Sequence, residues 1–191
     1  MMQSGSNYDL LIAKMDEFIR KYYLNKLLRG FIFLGAALFF SYLIITFSEY
    51  YGHFNTFFRS VIFYGFILLN LSLFAWLVAP SLLAYFKLGK LISHDQAAEI
   101  IGKYFRNVQD KLLNTLQLKK IADQNPEHKF LIEASINQKI AELKPVTFSS
   151  AVKINENKKF LKWVLIPLVL IITVAFVAPS IIHDGTERII K

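Results

Sequence analysis

The sequence contains no cysteine. That excludes disulfides and thiolate metal sites, and it leaves cysteine usage silent on the compartment. Asp, Glu, Lys and Arg are absent from three stretches, 30–48, 60–86 and 163–183. Core helices of a soluble domain usually run shorter and are interrupted by charge, whereas each of these stretches reaches the roughly 18 to 20 apolar residues that cross a bilayer as a helix. No phosphate-binding glycine loop, nucleophile elbow or pair of carboxylates within the apolar stretches is present.

What is present is an all-α integral membrane protein with three transmembrane helices. The expected organisation is a cytoplasmic amphipathic helix at 1–29, a first span at 30–48, an outer loop at 49–59 and a second span at 60–86, kinked near Pro80. A cytoplasmic helical segment at 87–162 follows, then a third span at 163–183 and the start of an extracytoplasmic segment at 184–191. The first apolar run begins well inside the chain and ends in Thr46-Phe47-Ser48-Glu49-Tyr50, without the small-residue site of a cleaved leader. It reads as an uncleaved signal anchor.

Charge sets the orientation. The chain carries 22 Lys and Arg against 14 Asp and Glu. Fourteen of the basic residues fall in 87–162 and five in 1–29, whereas the 49–59 loop has only Arg59 and the tail two. Positive residues mark the cytoplasmic side, so the N-terminus and the central segment belong inside, the loop and the C-terminus outside. Lys87, Lys90, Lys158, Lys159 and Lys162 flank the spans and suit lipid phosphates at that interface. The aromatics lie in and beside the apolar runs, which argues against a nucleic-acid partner.

Helical spacing of Leu11, Met15, Phe18 and Tyr22 gives the amphipathic helix a face that either lies in the interface or packs on the central segment. Gly35, Ala36 and Ala37 offer the first span a close helix contact. In the central segment Ser93-His94-Asp95-Gln96 spells a capping box. The helix after it carries Ala97, Ile100, Ile101, Tyr104, Phe105, Val108, Leu112, Leu113 and Leu116 on its apolar face, with a bend at Gly102. Asn125 and Pro126 restart the chain as a second helix with Phe130, Leu131, Ile136, Ile140 and Leu143 inward. A short connection predicts an antiparallel hairpin, and Leu112, Leu113, Leu116, Ile136 and Ile140 are its candidate docking residues for a partner or a second copy. In the third span Pro167 is expected in the first turns, where proline is tolerated. The tetrapeptide Val-Ala-Pro-Ser recurs at 78–81 and 177–180, and we read it as coincidence, not as an inverted repeat.

Candidate chemistry is sparse. Glu49 and His53 end the first span, and His183 and Asp184 end the third; their convergence would make a metal site, though polar residues at the water boundary explain them equally. His94 beside Asp95 is accounted for by capping, and His128 by solvation. Asn70 is the central polar residue of the second span and is expected to bond across to another helix.

The residues Leu24-Asn25-Lys26-Leu27-Leu28-Arg29-Gly30, Glu49-Tyr50, Leu88-Gly89-Lys90, the run from Ile92-Ser93-His94-Asp95 to Gly102, the run from Asp110 to Leu118, and Asp184-Gly185-Thr186-Glu187-Arg188 together resemble the N-terminal region of a Bacteroidota membrane family, the domain of unknown function 4175. The resemblance covers nearly the whole chain. It implies a short membrane region followed by a longer extracytoplasmic part, so a further segment is expected after Lys191. It carries over no catalytic residue and no cofactor. It implies a cell-envelope assembly whose candidate partners, by gene association only, are MoxR-type ATPases and von Willebrand factor A proteins. The sequence therefore reads as a non-catalytic inner-membrane anchor or scaffold. A small transporter or channel component, or a membrane-bound metal enzyme using the outer histidines, are the alternatives.

Overall fold

The computed structural model describes residues 4–89, 91–124, 127 and 129–190. Among them every regular element is helical: α1 (Ser4–Gly52), α2 (Thr56–Leu77), α3 (Ala79–Tyr85), α4 (His94–Tyr104), α5 (Arg106–Gln124), α6 (Lys129–Leu143), α7 (Lys158–Val177) and α8 (Pro179–Ile190), with 3-10 turns at Phe148–Ala151 and Ile154–Asn157. α1, α2 and α7 are long and apolar enough to cross a membrane. The chain forms two compact units, Met1–Leu24 with Lys90–Lys153, and Asn25–Gly89 with Ile154–Lys191. Expectations for Lys90, Asn125, Pro126 and His128 lie outside the described residues.

The first unit is built around the start of α1. Leu11, Met15, Phe18, Ile19 and Tyr23 are buried there, a stripe at helical spacing, whereas Tyr22, expected on it, is half-buried. Polar ties hold this stretch, among them Asn7 Nδ2 donating to Asn137 Oδ1 at 3.2 Å, Lys14 Nζ donating to the Lys144 carbonyl at 2.6 Å, and Tyr23 accepting from the Ile92 N–H at 3.1 Å. The Ser93–Gln96 capping box is complete at the head of α4. The expected single helix after it is two, because the chain breaks at Phe105 (φ −126°, ψ 80°) and not at Gly102. α5 and α6 pack on each other through Leu112, Leu116, Ile136, Ile140 and Leu143, all buried. Lys111 near the start of α5 reaches Glu142 near the end of α6 at 2.5 Å, so the two helices run antiparallel.

Phe130 and Leu131 depart from the sequence reading: they are 76% and 71% exposed, not inward. The buried stripe of α6 runs 136, 140, 143, and its extension toward the N-terminus falls on 133, off Phe130 and Leu131.

The second unit holds the apolar helices. α1 passes without interruption through the expected boundary at 29–30, since Gly30 costs a helix only about 1 kcal/mol relative to alanine and no proline stands nearby. It ends at Gly52, so residues 53–55 are all that separates it from α2, fewer than the expected loop. His53 turns the chain in the left-handed region (φ 45°), and Asn55 caps α2 by accepting from the Phe58 N–H at 3.1 Å. The apolar stretch 60–86 is interrupted at one residue near Pro80: α2 runs to Leu77, Val78 keeps helical angles (φ −108°, ψ −50°), and α3 follows with Pro80 in its first turn. α3 closes in a Schellman pattern, with Lys87 at φ 59°, its N–H on Ala84 O and the Leu88 N–H on Leu83 O at 2.8 Å. At Gly30 an added Cβ would lie 2.6 Å from Leu77 O, so only glycine permits this approach of α1 to the α2 end. Gly35 fulfils the small-residue expectation more loosely, facing the Val164 side chain of α7.

The third span is also shifted. α7 begins at Lys158, directly after a 3-10 turn, and ends at Val177. Pro167 therefore sits mid-helix and buried, where its ring takes away the bond to the Trp163 carbonyl. Ala178 (φ −142°, ψ 68°) is held out of the helical region by Pro179, and α8 begins there. Both Val-Ala-Pro-Ser tetrapeptides thus end a long apolar helix and open a short one.

Candidate functional site

A polar track lies along the last turns of α1. Tyr42, Thr46 and Glu49 recur at spacings of four and three, so they share one face of the helix, and His53 follows just past its end. α8 meets this face. It buries Ile181, Gly185 and Ile189, and Gly185 is indispensable to the contact: an added Cβ would lie 2.8 Å from the Thr46 carbonyl and methyl. Next to it the Tyr42 and Thr186 hydroxyls are hydrogen-bonded at 2.8 Å, and Arg188 bonds His53 Nδ1. From α2, Arg59 Nε stands 2.9 Å from Glu49 Oε1. Glu49 is fully buried and Arg59 partly so. The pair is an ion pair without a directed hydrogen bond, and the second Glu49 oxygen and the Thr46 hydroxyl also have no hydrogen-bond partner among the described residues. Removing a carboxylate from water costs several kcal/mol, which only a close, opposite charge offsets. Arg59 is that charge.

The four residues proposed from sequence as a weak metal set separate into pairs. Glu49 is paired with Arg59 and His53 with Arg188, while His183 lies exposed beside Asp184 at 3.2 Å and Glu187 at 3.8 Å. Among the described residues no group of three or more His, Asp or Glu side chains gathers as a metal set. Arg59, Arg188, Tyr42 and Thr186 were not singled out from the sequence. The periodic polar stripe at 42, 46 and 49 was a readable signal; its partners on α2 and α8 were not.

Asn70 bonds as expected of a polar residue among apolar helices: its Nδ2 donates to Phe66 O at 2.9 Å within α2 and to Ser41 Oγ on α1 at 3.4 Å. Lys87, Lys158, Lys159 and Lys162 are exposed. In the first unit, four of the five docking candidates, Leu112, Leu116, Ile136 and Ile140, are buried in the unit's own core, with Leu113 half-buried. Its polar exterior is tied by ion pairs: His94 with Asp16, Lys120 with Asp95, Lys119 with Asp123 and Lys111 with Glu142. Lys111 beside it holds the Glu142 carboxyl below its ordinary value. The hydrogen bond to Asp123 raises the Lys119 ammonium, and burial pushes the Tyr8 hydroxyl up.

No protein-family model, curated protein or solved structure matches this chain.

Proposed function

We propose that the chain is a non-catalytic anchor and scaffold of a bacterial inner-membrane assembly. In this reading α1, α2 and α7 cross the bilayer, with the first unit in the cytoplasm and the 53–55 turn and α8 outside. The α5–α6 hairpin presents the docking surface. The observation that carries it is the contrast in where apolar residues lie: the first unit has a closed core, yet exposes Phe130 and Leu131 side by side at the head of α6. Because Leu112, Leu116, Ile136 and Ile140 hold the hairpin together, Phe130 and Leu131 are the better candidates for touching a partner or a second copy. The resemblance to the Bacteroidota family makes MoxR-type ATPases and von Willebrand factor A proteins the first partners to try.

Since the chain has no cysteine, single cysteines report its topology directly. Those placed at Asn55 and Thr186 are expected to react with an impermeant maleimide in intact spheroplasts, and one at Gln124 only after permeabilisation. Labelling at Gln124 in intact cells overturns the orientation. Phe130→Ser with Leu131→Ser is expected to abolish association with a partner or second copy while membrane level is kept. If association survives and Asn70→Leu abolishes function instead, the transporter reading replaces the scaffold.

A further inference from the structure

We propose that the middle of α1 and the base of α7 form a binding site for the phosphate of an anionic phospholipid headgroup. Within 25–33 and 154–165 there are five basic residues, Lys26, Arg29, Lys158, Lys159 and Lys162, and one acidic residue, Glu156. Asn157, buried at the head of α7, fastens the two segments: its Nδ2 donates to Asn25 Oδ1 at 2.6 Å, and its Oδ1 accepts from Arg29 Nε at 3.4 Å. Phe160 reinforces the junction, 5.4 Å from the Phe33 ring. Arg29 lies 4.9 Å above the Phe160 ring, and Lys159 Nζ lies 5.2 Å from the same centroid. Two cations are thus gathered on one aromatic ring, with Glu156 4.0 Å from Lys159. Lys162 stands 5.8 Å over the Trp163 ring.

Several cations gathered at one junction repel one another, and an anion among them relieves that repulsion. Arg29 has its Nε engaged by Asn157, and the terminal NH2 groups of a guanidinium are the pair that grips phosphate bidentately. The apolar runs start at residue 30 on α1 and residue 163 on α7, so the cations lie within about one or two turns of both and come at headgroup depth when the helices span. Trp163 and Phe160 supply the interfacial aromatics. A zwitterionic headgroup would bring its own ammonium against five basic residues; an anionic one would not. The site rests on the spanning reading above.

The test uses the full chain reconstituted in bilayers. Trp76→Phe leaves Trp163 as the single tryptophan, since the chain has two. Its fluorescence is then quenched with brominated phosphatidylglycerol or brominated phosphatidylcholine at matched mole fraction. We expect about fivefold or greater preference for the anionic lipid, the increment that one surface basic residue supplies. Arg29→Gln with Lys162→Gln is expected to bring the ratio close to one. Lys158→Gln with Lys159→Gln, both exposed, is expected to lower it where the first variant fails to reconstitute. Equal quenching by both lipids, or a preference unchanged in these variants, overturns the site. Displacement of the preference by millimolar glycerol phosphate overturns the lipid assignment in favour of a soluble phosphate. Quenching by neither lipid sinks the spanning reading itself.

Discussion

In the first unit Met15, Phe18, Ile101 and Leu112 have no exposed surface, whereas in the second α2 buries no residue at all and Phe176 and Trp76 are 84% and 75% exposed. The apolar residues are of the same kinds in both. The difference lies in which side chains are inside. A unit in water folds by hiding its apolar face, whereas a bare apolar helix suits lipid, where its backbone is satisfied internally and its side chains already match the solvent. In lipid little apolar drive remains to hold helices together, so close approach and polar contacts take over. The second unit shows both, with Gly30 against Leu77 and Gly185 against Thr46, and with Glu49, Arg59, Tyr42, Thr186, His53 and Arg188 joined in polar contacts.

This contrast can be broken at its strongest point first. Leu112→Asp buries a carboxylate without a partner and is expected to cost about 4 kcal/mol or more. Hydrogen exchange should then lose protection across α4, α5 and α6 while α2 and α7 stay protected. Loss of protection in all of them would mean the two units do not fold separately. In the second unit, Arg59→Ala leaves Glu49 buried and unpaired, at a cost of about 3 to 5 kcal/mol. Thermal unfolding in detergent should show it, and Glu49→Leu added to Arg59→Ala should recover most of the loss. Absence of recovery would mean Arg59 acts by packing alone.

A third change inverts the sense of exposure. Leu71 is an exposed residue of α2, and Leu71→Asp is expected to lower membrane insertion by about 2.5 to 3.5 kcal/mol. Tyr104→Glu, at an exposed residue of α4, is expected to stay within about 0.5 kcal/mol of the parent. Equal tolerance at both positions would place α2 in water. The smallest effect is a titration. Lys111 depresses the Glu142 carboxyl from its ordinary 4.5, so its contribution is present above pH 4.5 and is lost as pH falls through the lower folded value. Both side chains are exposed, so added salt should weaken the effect, and Lys111→Met should remove it from the acid limb of a pH–stability curve.

Much of this was readable along the chain. The charge-free runs mark the helices long and apolar enough to cross a membrane because length and apolarity are local properties, and the Ser93–Gln96 capping box needs only residues three apart. The ends of the spans were less readable. Hydropathy locates where charge stops, but a helix is interrupted where proline takes away a backbone bond or bars the helical angles, near Val78 before Ala79-Pro80 and at Ala178 before Pro179. Phe130 and Leu131 looked inward because they are apolar; the register of Ile136, Ile140 and Leu143 decides otherwise.

By itself the sequence determined that this chain is helical and where its apolar helices run, since both follow from spacing and transfer energy over neighbouring residues. Tertiary structure alone decided that Arg59 neutralises Glu49, that Gly185 seats α8 on Thr46, and that Asn157 ties Arg29 and Asn25 to the base of α7. Those partners are between 10 and 139 positions apart in the sequence. No local preference selects them; they meet because burying a charge or bringing two backbones together is favourable only when the right group arrives from another helix.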